Sequence, residues 1–206
     1  MIKVYYAPPS IFGRKVLAVL EEKELDYTIE KMSFKEADHK KDEYLNLNPN
    51  GEIPTLADEE FVVYESTAII EYLEDEYPEP PLMPQDSEGR AKVRMVEDFC
   101  DLHLFPAIVH VLIKSRNPEV EVTDEDKSAV RSCFDRIASY LGDNEYAAGK
   151  FSLADCALMA AFASADALGL NEQAIVSYKV RTYKERLKTH KGYKGASLIS
   201  LETAQA

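Results

Sequence analysis

Ser10 sits where chemistry is possible. It follows the β-prone run Ile2-Lys3-Val4-Tyr5-Tyr6 and an Ala-Pro-Pro break, and it opens a stretch with Val16, Leu17 and Leu20 at helical spacing. Serine is a preferred N-cap, and a cap alone accounts for it. The same seat offers more. A helix start carries unpaired N–H groups and a partial positive charge. A hydroxyl there can donate to a bound thiolate and lower the pKa of its thiol. A lowering of two units needs about 2.7 kcal/mol, within reach of one charge-assisted hydrogen bond plus the helix dipole.

Three further segments could hold a small zwitterionic ligand. Ile53-Pro54 opens an apolar run. A strand beginning on proline explains it, as does a cis bond that turns the Ile53 backbone toward an antiparallel peptide. Glu65-Ser66 lies where a strand gives way to a helix. Ser66 reads as an N-cap; the backbone beside it could capture a carboxylate while Glu65 holds an ammonium group, a pairing that suits a γ-glutamyl end. His39-Lys40-Lys41 is a basic run in an acidic region. It is either a solvated loop or the local positive charge that a second ligand carboxylate needs.

The elements that must position these residues follow from the pattern. Strands are expected at residues 2–6, 25–29, 53–57 and 61–64, the last two joined at Asp58-Glu59-Glu60. Helices are expected from Ser10, around Lys41–Leu45, and from Ser66 to Tyr77. A βαβ unit followed by a hairpin and a helix makes a small α/β domain over residues 1–77. Residues 78–86 hold four of the ten prolines and read as a stiff linker. Residues 87–206 read as all-helical. A long helix is expected from Arg90 to Lys114, kinked at Pro106, then Asp124–Leu141, a nearly apolar Ser152–Leu168, and one or two amphipathic helices within 171–191. The fold class is therefore α/β plus all-α. Ser152-Leu153-Ala154-Asp155 reads as a structural capping box.

Bulk properties narrow the partners. The net charge is −13, and residues 1–77 carry 8 Lys and Arg against 18 Asp and Glu. That balance argues against nucleic acid and against anionic membrane surfaces. It also obliges any anionic ligand to find local positive charge. No apolar run is long enough to span a bilayer, and the N-terminus lacks a secretory pattern. Cys100, Cys133 and Cys156 are widely spaced, with no CxxC and no metal-ligand spacing. Reduced thiols, a cytoplasmic compartment and no metal are expected.

In order and spacing, APPSIFGRKVLAVLEEKELDY, HKKDEYLNLNPNGEIPTL, VYESTAIIEYLEDEYP and AAGKFSLADCAL resemble the cytosolic glutathione transferase family over essentially the whole chain. The resemblance implies a thioredoxin-like first domain, a helical-bundle second domain, glutathione as co-substrate and a two-fold homodimer. It implies that Ser10 stabilises the glutathione thiolate, and that Ile53, beside Pro54, pairs with the cysteinyl backbone. Glu65 and Ser66 would hold the γ-glutamyl group, and His39, aided by Lys40, the glycyl carboxylate. Two departures stand out. Glu52 occupies a position where many relatives carry Lys or Gln, and the chain has no Trp.

The implied reaction is attack of glutathione thiolate on a small apolar electrophile in a cleft between the domains. Phe12, Phe105, Val109 and Leu112 are the candidate wall. Glutathione-dependent disulfide or peroxide reduction is an alternative enzyme reading, and a non-catalytic interaction module is another. Tyr5 and Tyr6 are rival thiolate donors, but they precede the proline break.

Overall fold

The computed structural model describes residues 1–170 and 177–197. β1 (Ile2–Tyr6) turns Ile2, Val4 and Tyr6 inward, the period-two pattern of a strand. The Pro8-Pro9 break ends it, and Ser10 caps α1 (Ile11–Glu22). β2 (Tyr27–Lys31) lies parallel to β1, with Ile2 opposite Tyr27 and Tyr6 opposite Lys31. It starts two residues later than the sequence pattern suggests. The Leu25 N–H still bonds to the Leu20 carbonyl at 3.0 Å, so the chain is leaving α1 there and Leu25 packs on the core.

A 3₁₀ turn (Asp38–Lys40) and the short α2 (Asp42–Leu45) lead to β3 (Thr55–Asp58), which runs antiparallel to β1. β4 (Phe61–Tyr64) returns beside it, giving the mixed sheet order β2-β1-β3-β4. β3 begins after Pro54, which has no N–H for a ladder. α3 (Ser66–Glu76) packs with α1. This is the thioredoxin-like arrangement expected from the resemblance.

The helical part corrects one expectation. The run from Arg90 is not one helix kinked at Pro106. It is α4 (Ser87–Phe99), a π turn (Cys100–Leu104) and α5 (Phe105–Ser115), and Pro106 lies in the first turn of α5. Proline lacks the N–H that a carbonyl four residues back would use, and the turn widens just ahead of it. The Phe105 N–H reaches the Cys100 carbonyl instead.

α6 (Asp124–Leu141) starts from a Thr123/Asp126 capping box. α7 (Leu153–Ala167) is buried from Leu153 to Ala165 and forms the bundle centre. Its Ser152/Asp155 box is as expected, with Ala147 N–H (3.1 Å) and Tyr183 OH (2.5 Å) also donating to Asp155. Burial nevertheless pushes that carboxyl up to about 6. α8 (Tyr178–Leu187) and α9 (Lys191–Ser197) complete the described bundle. The helical expectation over 171–191 falls partly on 171–176, outside the described residues, and α9 extends beyond it.

One continuous apolar cluster runs from Val4 through Leu17 to Phe162, so the sheet layer and the bundle share a core. Ala7, Met32, Tyr44 and Ile53 form a second, smaller cluster. Cys100 and Cys156 are buried, Cys133 is half-buried, and none of the three is in a disulfide.

Candidate functional site

The loop from β1 to α1 is tied down by buried side chains. Tyr6 OH donates to the Pro8 carbonyl at 3.2 Å, and Arg14 Nη2 donates to the same oxygen at 3.2 Å. Arg14 is buried, with Nη1 on the Ala196 carbonyl at 3.0 Å. Tyr6 is only 1% exposed and burial raises its pKa, while Tyr5 packs edge-on to Tyr44. Neither tyrosine lines the two cavities described below, whereas Ser10 lines the larger of them. α1 approaches β1 so closely at Gly13 that a Cβ there would stand 2.5 Å from the Tyr6 ring.

Ser10 is a true N-cap. Its Oγ accepts from the Gly13 N–H at 3.0 Å and donates to the Ile53 carbonyl at 3.2 Å. The Ile53–Pro54 peptide is cis. Ser10 occupies one of the two acceptor positions of the Ile53 carbonyl. The turn before it is braced by side chains. Asn48 Nδ2 donates to the Glu52 carbonyl at 2.8 Å, and Tyr44 OH donates to the same oxygen. Gly51 adopts φ +59°, and a Cβ there would meet the His39 carbonyl at 2.8 Å. Lys40 Nζ donates to the Gly51 carbonyl at 2.7 Å, tying the basic loop to this turn.

The N-cap position of α3 falls one residue earlier than the sequence suggests. Glu65 is the N-cap of α3, at φ +68°, and Ser66 is the first helical residue. Glu65 is exposed and accepts from Asn50 Nδ2 at 3.0 Å, while Ser66 is buried.

Two cavities flank Ile53. The first, of about 230 Å³, is lined by Ile53, Pro54, Glu65 and Ser66 together with Thr67 and Asp101. Its acidic side chains are Glu52, Glu65 and Asp101. Lys15, fully buried on α1, reaches Asp101 Oδ2 at 2.8 Å and Glu97 Oε1 at 2.6 Å, and donates to Thr67 Oγ1 at 3.2 Å. The second cavity, of about 520 Å³, is lined by Ser10, Phe12, Phe34, His39 and Lys40 on one side. Val109, Leu112, Ile113 and Arg116 of α5 and its C-cap form the other. Phe12, Glu52 and Ile53 line both cavities.

The structure thus gathers Ser10, Phe12, His39, Lys40, Ile53, Val109 and Leu112 around one cavity. It gathers Ile53, Pro54, Glu65 and Ser66 around the other. Phe105 is the exception. It is fully buried behind Phe12, ring centroids 5.2 Å apart, and lines neither cavity. Partial burial and the Lys40 charge lower the His39 pKa, and His39 Nδ1 is buried without a hydrogen-bond partner. Among the described residues no group of His, Cys, Asp and Glu could hold a metal ion, and no helix is long and apolar enough to cross a membrane.

Several residues around the site had not been singled out. Lys15 and Arg14 had a visible signal, two adjacent cations inside an otherwise apolar helical run. Ile113 and Arg116 had another, since with Val109 and Leu112 they stand at i, i+3, i+4 and i+7. Thr67 and Asp101 had none, because their neighbours come from distant segments.

Residues 9–76 match the family model described as the glutathione S-transferase N-terminal domain. A stringent starvation protein A homolog of Coxiella burnetii is 25% identical over 98% of this chain and 94% of its own. Glutathione S-transferase F7 of Arabidopsis thaliana is 28% identical over 75% of this chain and 78% of its own. The solved structure of a delta-class glutathione transferase of Nilaparvata lugens superposes with a TM-score of 0.87 at 26% identity. That match covers 99% of this chain and 96% of the insect protein.

Proposed function

We propose, from the premise that this chain belongs to the cytosolic glutathione S-transferase family, that it is a glutathione transferase joining the thiolate to a small apolar electrophile. Residues 1–77 form the glutathione-binding unit, 78–86 the linker, and 87–206 supply the acceptor wall. The observation that carries the reading is the Ser10 hydroxyl, poised between the Gly13 amide and the Ile53 carbonyl at the edge of the larger cavity.

A hydroxyl has one proton and two acceptor positions. The Gly13 N–H occupies one acceptor position and fixes the oxygen at the helix start. The single proton is shared with Ile53 at the long distance of 3.2 Å. A thiolate offers a charged acceptor and a stronger bond. The proton turns to the sulfur while the cap bond to Gly13 remains. The sulfur then attacks the electrophilic carbon in the second cavity. A carbon–sulfur bond forms and the leaving group departs with its electron pair. The Ile53 backbone pairs with the peptide's cysteinyl backbone, Glu65 and Ser66 hold its γ-glutamyl group, and His39 with Lys40 the glycyl carboxylate. Phe12, Val109 and Leu112 wall the acceptor.

Positioning supplies most of the rate. The protein acts in the cytoplasm as a homodimer, a detoxifying role with neither metal nor nucleic acid. The exposed Phe61, Met95 and Leu102 are apolar surface that such a dimer would cover.

Two observations bear on the rival readings. A serine at the thiolate seat, with Cys100 and Cys156 buried and their thiols pushed up by burial, disfavours disulfide exchange. Glu52, exposed at the junction of the cavities, favours a non-catalytic module, since it opposes an anionic ligand. Calorimetry with reduced glutathione separates the readings. Saturable binding in the millimolar range or tighter, with turnover of a model aryl halide, supports the transferase. No heat at millimolar ligand favours the module, and turnover confined to a glutathione disulfide favours the reductase.

A further inference from the structure

Arg116 closes the α5 face that walls the larger cavity. Val109, Leu112, Ile113 and Arg116 line it from one helical stripe, three apolar side chains and then a cation. The stripe has a direction. α5 begins where Phe105 meets Phe12, and Arg116 is its C-cap. Seven residues separate Val109 from Arg116, about 10 Å along the helix.

The other wall comes from the loop after β2, where Phe34 packs edge-on to His39 with centroids 5.1 Å apart. Phe34 and Ile113 are both exposed, so the apolar channel is open at this end. Neighbouring cations are engaged. Lys114 and His110, elsewhere on α5, both meet Asp126. Lys40 donates to Gly51, and Lys15 is enclosed by Glu97 and Asp101. Among the described residues no carboxylate is paired with Arg116.

A purely apolar acceptor gives this arginine nothing to bind. In a chain of net charge −13, Lys40 and Arg116 put two cations on one cavity, against the single carboxylate of Glu52. His39 and Lys40 sit on the loop wall, where the glutathione glycyl carboxylate is placed. Arg116 stands on the wall assigned to the acceptor. A guanidinium matches a carboxylate in a planar, two-point fashion.

We propose that the acceptor is an amphipathic carboxylate, with an apolar body along Val109, Leu112 and Phe34 and its anionic end on Arg116. The inference rests on the glutathione reading and narrows its substrate class.

The test is calorimetry with S-(7-carboxyheptyl)glutathione and its methyl ester, whose flexible chains let the acid find the rim. The acid should bind about ten-fold tighter, the size of a partly exposed charge-assisted hydrogen bond. R116A should erase that preference while leaving the ester's affinity unchanged, which also shows the cavity intact. R116K should keep part of it. Equal binding of acid and ester, or a preference that survives R116A, overturns the anionic acceptor and leaves glutathione binding standing. If neither conjugate binds, the glutathione reading fails and the inference falls with it.

Discussion

Lys15 and Asp101 join α1 to the π turn of the helical part, Nζ to Oδ2 at 2.8 Å, with the lysine side chain fully buried. Glu97 sits 2.6 Å from the same ammonium, so one cation serves two carboxylates. Removing the cation strands both. Lys15→Met should cost about 3–5 kcal/mol, the usual penalty for breaking a buried pair from one side. Urea unfolding of the variant beside the parent measures it. A loss under about 1 kcal/mol would mean that the cluster is solvated and does not brace the two layers.

Ser10 has two duties, which one substitution removes together and separate measurements tell apart. Ser10→Ala removes the cap of α1, costing about 1 kcal/mol. It also removes the hydroxyl proposed to meet the sulfur. The thiol of bound glutathione should move back toward its free value of about 8.5, and conjugation at neutral pH should drop by roughly ten- to a hundred-fold. Ultraviolet titration of the thiolate in the complex reads the first change and aryl-halide turnover the second. An unchanged thiol pKa with unchanged turnover would move the task to backbone amides.

The sheet was legible because IKVYY alternates and its breaks are prolines and a tight turn. The α7 cap was legible because Ser152 and Asp155 are three residues apart. What stayed hidden depends on contacts between distant segments. Whether Phe105 or Ile113 faces the cavity depends on how α5 is rotated, and the π turn ahead of Pro106 sets that rotation. Asp101 carries no local mark, since Lys15 and Thr67 reach it from far along the chain. Glu65 rather than Ser66 became the cap because the chain passes through φ +68° there, which no propensity favours for glutamate.

The pH response of ligand binding should run through His39. In the free protein, partial burial and the neighbouring Lys40 hold it below its ordinary 6.5, although Asp38 opposes the shift. A glycyl carboxylate beside the ring would raise the pKa in the complex. A group whose pKa rises on binding takes up a proton, so affinity grows as pH falls through the bound-state value and flattens below the free-state value. Glutathione should therefore bind more tightly as pH falls through the bound-state pKa of His39, the gain levelling off below its lowered free-state value. His39→Gln should flatten the profile while keeping a hydrogen-bonding side chain. Calorimetry across this range in buffers of differing ionisation heat reports the proton directly. A profile identical in parent and variant would remove His39 from the site.

Glu52 is the residue whose charge runs against the proposed ligand. It lies at the junction of the two cavities, its backbone carbonyl pinned by Asn48 and Tyr44 while the residue itself is exposed. The turn therefore does not depend on its carboxylate. Glu52→Gln should leave stability within about 0.5 kcal/mol, as expected for a surface substitution. If the carboxylate repels glutathione's glycyl end, the change should tighten glutathione binding by about two- to five-fold, the scale of an exposed charge pair. The gain should shrink in high salt, because salt screens interactions between solvent-exposed charges. Weaker binding after Glu52→Gln would show the opposite: that this carboxylate receives the ligand, as an ammonium partner beside Glu65, and that the peptide lies reversed in the groove.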